Sequence, residues 1–148
     1  WQHVLVLPKD HPLAAKERIS LEDLASEPII TYHPSFTGRT RIDHAFAQKK
    51  LTPRIALEAI DSDVIKTYVR LGLGVGIVAE MAVRDESNAD LVVRPMGHVF
   101  GQNIARVAFK RSAYLRNFVF KFAELLSDRL DRNLIAKALS GHQQDYEL

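Results

Sequence analysis

The sequence has 148 residues, of which 47% are hydrophobic and 26% charged, a balance typical of a globular domain and not of a disordered or fibrous chain. Its net charge of +2 is too small to indicate nucleic-acid binding by itself, because such binding depends on many clustered cations. The chain has no cysteine for a disulfide or a thiolate site, and no apolar run approaches the roughly 18 residues of a membrane-spanning helix.

The first third of the chain alternates apolar runs with helix signals. Residues 3–7 predict a short strand, and Ser20 predicts the cap of a short helix with two acidic residues in its first turn. Residues 29–32 predict the next strand. A loop over residues 33–41 then leads into a second helix, whose apolar face is Ile42, Ala45 and Phe46.

The clearest local pattern covers residues 61–83, after a strand predicted over residues 54–60. Asp61 or Ser62 is a good N-cap, and Gly72 is well placed for the left-handed residue that ends a helix. Residues 75–79 are apolar and β-branched enough for a strand buried on both faces. This stretch contains three glycines, Gly72, Gly74 and Gly76. A nucleotide-binding loop has its glycines between a strand and a following helix, whereas here they lie between a helix and a following strand. Structural roles in a turn and in close packing are therefore favoured.

The remaining third predicts a polar loop over residues 84–90, a strand over 91–94, a glycine-containing linker over 97–101 and a strand over 104–110. Ser112 is predicted to cap a longer helix with a broad apolar stripe, made of Leu115, Phe118, Val119, Phe122, Leu125 and Leu126. A further helix is predicted after Asp131, and a frayed tail over residues 142–148. Strands that alternate with helices in this way predict an α/β fold with a largely parallel sheet flanked by helices.

One segment has the composition of an anion site. Ser35 and Thr37 offer hydroxyl groups, Gly38 allows a ligand to approach the backbone, and Arg39 and Arg41 add positive charge beside the free N–H groups of a helix start. In the alternative interpretation Thr37 merely caps the helix and the arginines lie on a solvated face. The residues alone leave both interpretations open.

No other pattern indicates chemistry. The six histidines lack the spacing of a helical metal pair, and no Gly-x-Ser-x-Gly nucleophile motif occurs. His33, between a strand and the Thr37 loop, could contact an acidic ligand, although a plain surface position is favoured. Asp61 and Asp63 suit helix capping better than acid–base catalysis, and the two C-terminal helices suit docking better than reading DNA bases. We therefore expect no catalytic residue, no metal site and no cofactor, and a protein that is not an enzyme.

Two motifs carry a resemblance to a known family. The run Phe-Thr-Gly-Arg at 36–39 and the run Asp-Val-Ile-Lys-Thr-Tyr-Val at 63–69, followed by Gly-x-Gly and a strand, closely resemble the effector-binding domain of LysR-type transcriptional regulators. Within that family they are similar to the CysB-like branch, of the CysB or Cbl type. The resemblance covers roughly residues 1–114.

The resemblance implies a periplasmic-binding-protein-like fold of type 2 with most of its first subdomain missing. Because the chain begins at Trp1, a C-terminal fragment of a regulator is expected. It divides as follows: residues 1–12 a crossing strand from the first subdomain, 13–98 the second subdomain, 99–130 the returning strand and helix of the first subdomain, and 131–148 a C-terminal helix and tail. The returning elements would lack their packing partners, so we expect the chain to associate through them.

The resemblance also implies a ligand. In the CysB-like branch the threonine of Phe-Thr-Gly-Arg contacts a bound sulfate or acylserine-type effector and the tryptophan lines the same cleft, which implies Thr37 and Trp1 as ligand-binding residues, with Ser35, Gly38 and Arg39 beside them. The effector would belong to the class of sulfate, thiosulfate, acetylserine or adenosine phosphosulfate. Other anion contacts would come from a threonine- and glutamine-bearing loop that this chain lacks.

The implied function is effector sensing for a homo-oligomeric regulator of sulfate assimilation and cysteine biosynthesis genes. Such a protein would be cytoplasmic, would not contact membranes, and would bind DNA only through an N-terminal domain that this chain lacks. The alternative is a periplasmic-type solute-binding protein for a small anion, because those proteins share the two-subdomain architecture.

Overall fold

A computed structural model of the protein describes residues 1–84, 88–110, 114–127 and 129–140. The chain divides into two compact units, Trp1–Ile104 and Ala105–Leu148. The strands of the first unit are β1 (His3–Pro8), β2 (Pro28–Tyr32), β3 (Arg54–Ala59), β4 (Val75–Ala79) and β5 (Leu91–Pro95). Its helices are α1 (Leu21–Ala25), α2 (Thr37–Gln48), α3 (Ser62–Arg70) and α4 (Gly97–Phe100), and short 3₁₀ helices cover Pro12–Ala15 and Glu80–Val83.

The five strands form one sheet in the order β3-β2-β4-β1-β5. The pairs β2–β3 and β2–β4 are parallel, whereas β1 runs antiparallel to both β4 and β5. The predicted α/β fold class is confirmed, but the sheet is mixed and not largely parallel. The difference arises because β1 pairs with strands from far along the chain, and no local sequence pattern reports the direction of such a pair.

The core lies on both faces of this sheet. Leu5 and Leu7 of β1 face a cluster with α1 and α2, and the alternate residues Val4 and Val6 face a cluster with α3. This alternation follows from the two-residue repeat of a strand, and the central strands are apolar on both faces because helices cover both. The core therefore holds α2 and α3 on opposite faces of one sheet.

The stretch after β3 folds as predicted. Asp61 is the N-cap of α3, and its side chain accepts a hydrogen bond from the Asp63 N–H. At the other end, the Gly72 N–H donates to the Val69 carbonyl and the Leu73 N–H donates to the Tyr68 carbonyl, at 2.9 and 3.1 Å, with Gly72 at a φ of 75°. These bonds define a Schellman motif, which requires a left-handed residue that glycine adopts readily.

Gly76 fills the packing role predicted for a glycine in this stretch. A Cβ atom at Gly76 would lie 2.5 Å from a methyl group of Val6 and 2.8 Å from one of Val69, so β4 and α3 approach too closely for any side chain there. The structural interpretation of the glycines is confirmed at Gly72 and Gly76.

Three local predictions need correction. Helix α2 begins at Thr37, within the segment predicted as a loop, because the apolar repeat that marks the helix in the sequence starts only at Ile42. The predicted linker over residues 97–101 contains the single turn α4, whose Phe100 is buried in the core. No strand forms over residues 104–110, because an extended segment becomes a strand only when its backbone pairs, and none of the described strands pairs with it.

The second unit contains α5 (Asn117–Leu126) and α6 (Arg132–Leu139). Asp131 caps α6 as predicted, accepting a hydrogen bond from the Leu134 N–H at 2.7 Å. The predicted cap Ser112 and the predicted tail over residues 142–148 lie outside the described residues. A small cluster of Phe120, Ala123 and Ile135 holds the two helices together. Among the helices described, none is long and apolar enough to cross a membrane.

Candidate functional site

The candidate site lies at one edge of the sheet in the first unit. The parallel strands β2, β3 and β4 end at this edge with Tyr32, Ala59 and Ala79. Strand β1 begins there, because its first residue His3 is paired with Ala79. Ligands of open α/β sheets commonly bind at the carboxyl ends of the strands, so this edge is the expected place for a small molecule.

The start of α2 supplies hydrogen-bond donors at this edge. Its N-cap is Phe36, which has no side-chain group to cap the helix, and the Arg39 N–H donates to the Phe36 carbonyl at 3.0 Å. In the part of the chain that the structure describes, the N–H groups of Thr37 and Gly38 and the Thr37 hydroxyl have no hydrogen-bond partner. Thr37 is exposed and does not serve as the cap, which removes the capping interpretation of this residue.

Arg39 is not among the groups offered to a ligand. Its side chain is 8% exposed, and its Nη1 atom donates to Glu58 Oε1 at 2.7 Å and to the Tyr32 carbonyl at 2.8 Å. Its Nε atom donates to Asp43 Oδ1 at 2.7 Å. The bonds to Tyr32 and Glu58 tie α2 to the ends of β2 and β3, so Arg39 holds the helix start in place.

Ser35 lies in the turn before α2 and bonds locally. Its backbone N–H donates to Nδ1 of His33 at 3.2 Å, and its hydroxyl lies 2.9 Å from the same atom. This pairing shapes the turn that precedes Phe36. It also accounts for His33, which the sequence left open as a ligand contact: its Nδ1 atom is used by the turn.

Trp1 lies beside the start of α2, as the resemblance implied. Its backbone is anchored by two hydrogen bonds, from its nitrogen to the Asn103 carbonyl at 2.8 Å and from the Asn103 N–H to its own carbonyl at 2.6 Å. A Cβ atom at Gly38 would lie 3.3 Å from Cη2 of the Trp1 indole. The structure therefore brings Trp1, Gly38 and Thr37 together at one edge of the sheet.

His3 belongs to the same place, although no sequence motif pointed to it as a ligand contact. Its side chain is 0% exposed and lies between the rings of Trp1 and Phe100, with centroids 5.1 and 5.7 Å away. The alternation of β1 could have indicated it, because it places His3 on the same face as Leu5 and Leu7. A polar residue in such an apolar row is unusual and suggests a specific role.

The charge state of His3 follows from its surroundings. Burial, and then the positive charge of Arg41, lower the pKa of His3 to about 4. The Gly38 backbone acts in the opposite direction, without completing a hydrogen bond to Nε2. His3 is therefore neutral at neutral pH. Arg41 itself is exposed on α2, has no ion-pair partner within the described ranges, and adds positive potential to this edge.

The site is chemically suited to binding and not to metal coordination. Among the residues that the structure describes, no group of three or more histidine, aspartate or glutamate side chains is placed to hold a metal ion. The assembled groups are N–H donors at a helix start, a hydroxyl, a neutral imidazole and an indole, which together suit an anion with some apolar surface.

Comparison with known proteins relates the chain to one domain of a family of transcriptional regulators. The family model for the LysR substrate binding domain matches residues 1–131. The regulator CysB of Burkholderia cenocepacia is 53% identical over 148 residues, which is 100% of this chain and 47% of that protein. The regulator Cbl of Escherichia coli K12 is 42% identical over 151 residues, covering 100% of this chain and 48% of that protein. The chain thus spans about half the length of these curated relatives.

Solved structures agree with the sequence relatives. The cofactor-binding domain of the Cbl regulator matches with a TM-score of 0.78 and 40% identity, over 95% of this chain and 62% of that one. The effector-binding domain of QuiR, solved with shikimate, matches with a TM-score of 0.53 and 26% identity, over 64% of this chain and 43% of that one. Both of these solved structures are ligand-binding domains, one named for a cofactor and the other for an effector.

Proposed function

The chain belongs to the family of LysR substrate-binding domains, and on that premise we propose that it senses a small anionic effector for a transcriptional regulator of the CysB-like branch. The regulator would act in the cytoplasm as a homo-oligomer, on genes of sulfate assimilation and cysteine biosynthesis. Its contact with DNA would be made by a separate N-terminal domain. None of the observations on the described residues favours the solute-binding alternative.

The observation that carries the proposal is the start of α2. This helix has 12 residues and no acidic residue in its first turn, so the positive end of its dipole is not compensated there. The free donors of Thr37 and Gly38 lie at that end, beside Trp1 and the buried His3. A helix start with free N–H groups favours an anionic oxygen, and sulfate, thiosulfate, acetylserine and adenosine phosphosulfate all carry one.

The proposed mechanism is a shift between arrangements of the effector domain. Thr37 and Gly38 belong to the first unit, and the remaining contacts to the effector would come from the part of the relatives that this chain does not span. An effector that binds one arrangement more tightly than another shifts the population toward it, by no more than its differential affinity. That shift would reach the DNA-binding domain.

The test is calorimetric titration with sulfate, thiosulfate, acetylserine and adenosine phosphosulfate. We expect saturable binding of at least one of them to the wild-type chain and a loss of about 10- to 100-fold in affinity in Thr37→Ala, because hydrogen bonds to charged groups contribute roughly 1.5–3 kcal/mol. Chloride at matched ionic strength controls for screening.

Thr40→Ala is the matched control. Thr40 is exposed on the same helix, one turn further from the start, so its removal should leave the affinity unchanged. Equal affinity of the wild-type chain and Thr37→Ala, or equal losses in the two variants, would contradict the placement of the effector. The absence of saturable binding to the wild-type chain would contradict the proposal that these residues form the main part of the site.

A further inference from the structure

One buried atom at the candidate site lacks the partner that a buried polar atom requires. The His3 side chain is 0% exposed, and its Nε2 atom forms no hydrogen bond within the described chain. An unpaired buried polar group destabilises a fold, and native proteins contain few of them. At a binding site, the missing hydrogen bond is explained if the partner is the ligand.

The position of Nε2 favours that explanation. A Cβ atom at Gly38 would lie 3.2 Å from His3 Nε2 and 3.3 Å from Trp1 Cη2, so the imidazole edge and the indole edge both face the first turn of α2. The free N–H groups of Thr37 and Gly38 belong to the same turn. Glycine at position 38 leaves the space between these groups without a side chain.

The hydrogen bond at the other ring nitrogen, Nδ1, determines whether Nε2 carries the proton. The amide nitrogen of Asn103 lies 3.5 Å from His3 Nδ1, and an amide nitrogen can only donate. Nδ1 is therefore the acceptor, and in a neutral imidazole the proton is then on Nε2. Nε2–H is an uncharged donor that faces the same turn as the two free N–H groups of α2.

We propose that His3 is an effector-contacting residue whose Nε2–H donates a hydrogen bond to an anionic oxygen atom of the ligand. This inference rests on the proposed function, which places the effector at the start of α2, and adds a third donor from a different element, β1. The Trp1 indole lies against the His3 ring, which is fully buried, so the proposed contact requires the indole to move aside. The ligand oxygen can belong to a sulfate-type group or to a carboxylate, and the test distinguishes these sources.

Trp1 provides a direct readout, because it is the single tryptophan of the sequence. Sulfate and acetylserine are titrated separately against the wild-type chain and against His3→Leu, His3→Gln and His98→Leu, with tryptophan emission and calorimetry as measurements. His98→Leu is the control, since His98 is exposed and its Nε2 atom pairs with the Ile19 carbonyl, near Ala45 and Gln48 at the opposite end of α2 from Thr37.

We expect His3→Leu to lose at least 10-fold in affinity for the ligand that the wild type binds, and to unfold at the same temperature or higher, because it removes an unpaired polar atom. His3→Gln, whose amide can donate near the Nε2 position, should retain more affinity than His3→Leu, and His98→Leu should bind normally. Loss with sulfate identifies a sulfate-type oxygen, and loss with acetylserine alone identifies a carboxylate.

Unchanged affinity in His3→Leu overturns the inference, whether or not the variant is less stable than the wild type. If His3→Leu does not fold, equal affinity of His3→Gln and of His3→Asn, whose shorter amide cannot reach the Nε2 position, overturns it as well. A loss in Thr37→Ala without any loss in the His3 variants rejects only the role of His3. Normal binding by Thr37→Ala, or no binding by the wild-type chain, contradicts the proposed placement of the effector at the start of α2, and this inference with it.

Discussion

At the scale of the residue, His3 connects the stability of the first unit with pH. Its pKa of about 4 in the folded state lies below its ordinary value of 6.5, because burial and the charge of Arg41 disfavour the protonated ring. The charged group facing the ring is Arg41 of α2, while the groups from other elements, Trp1, Phe100 and Asn103, are neutral side chains. Its contribution to stability is therefore fully present above pH 6.5 and is lost as the pH falls from 6.5 toward 4.

This predicts a difference in the acid behaviour of two proteins. The free energy of unfolding of the wild type should fall between pH 7 and pH 4.5 more than that of His3→Leu, by at most about 3 kcal/mol. Urea unfolding midpoints at pH 7, 6, 5 and 4.5 measure it. Carboxylates such as Asp23 titrate in both proteins and cancel in the comparison. Parallel pH profiles would show that His3 is not held neutral by the fold.

At the scale of the element, the placement of α2 depends on Arg39, which donates one hydrogen bond to β2 and one to β3 and a third to Asp43 within the helix. We expect Arg39→Leu to lower the free energy of unfolding by roughly 1–3 kcal/mol, because it leaves the half-buried Tyr32 carbonyl and the Glu58 carboxylate without this donor. Arg39→Lys should recover only part of this, since lysine cannot bond in two directions with one planar group.

The control for that experiment is Arg54→Leu, which removes an exposed arginine of β3. The measurement is urea unfolding at pH 7. Equal stability of Arg39→Leu and Arg54→Leu would show that the ion pairs of α2 contribute nothing to its placement.

The same scale shows how far the sequence predicts this fold. The bounds of β4 and both ends of α3 could be predicted, because Asp61, Gly72 and the apolar run 75–79 are local signals. The antiparallel direction of β1 and the burial of His3 could not, because β1 pairs with residues 76–79 and His3 is covered in part by Phe100 and Asn103, all far along the chain. Residues 104–110 have a strand-like composition, but no strand of the described segments pairs with them. Helix α2 begins at Thr37, whose side chain does not cap it and so gives no signal of the start.

At the scale of the whole molecule, the chain presents an unusually apolar surface in its second unit. Tyr114 is 92% exposed and Leu125 86% exposed, and Phe118, Phe122 and Leu126 are also exposed. We predict that the 148-residue chain associates through this surface in a concentration-dependent way, because contiguous apolar patches on soluble proteins usually mark contact sites.

Size-exclusion chromatography with light scattering across a range of concentrations tests the prediction. Association should weaken in the double variant Phe118→Ser and Phe122→Ser, and should persist in Leu71→Ser, which removes an exposed apolar residue of the first unit. A clean monomer at high concentration would contradict the predicted contact surface.

The uncapped start of α2 also creates a conflict between thermal stability and the proposed anion binding. An aspartate or serine at position 36 would cap the helix and raise stability by about 1 kcal/mol, since Phe36 has no capping group. The same substitution would occupy the free N–H groups, and aspartate would repel an anion there. A selection that rewards thermal survival alone would therefore enrich substitutions at this turn that weaken the proposed anion site. Libraries screened for both properties should leave positions 36–38 unchanged.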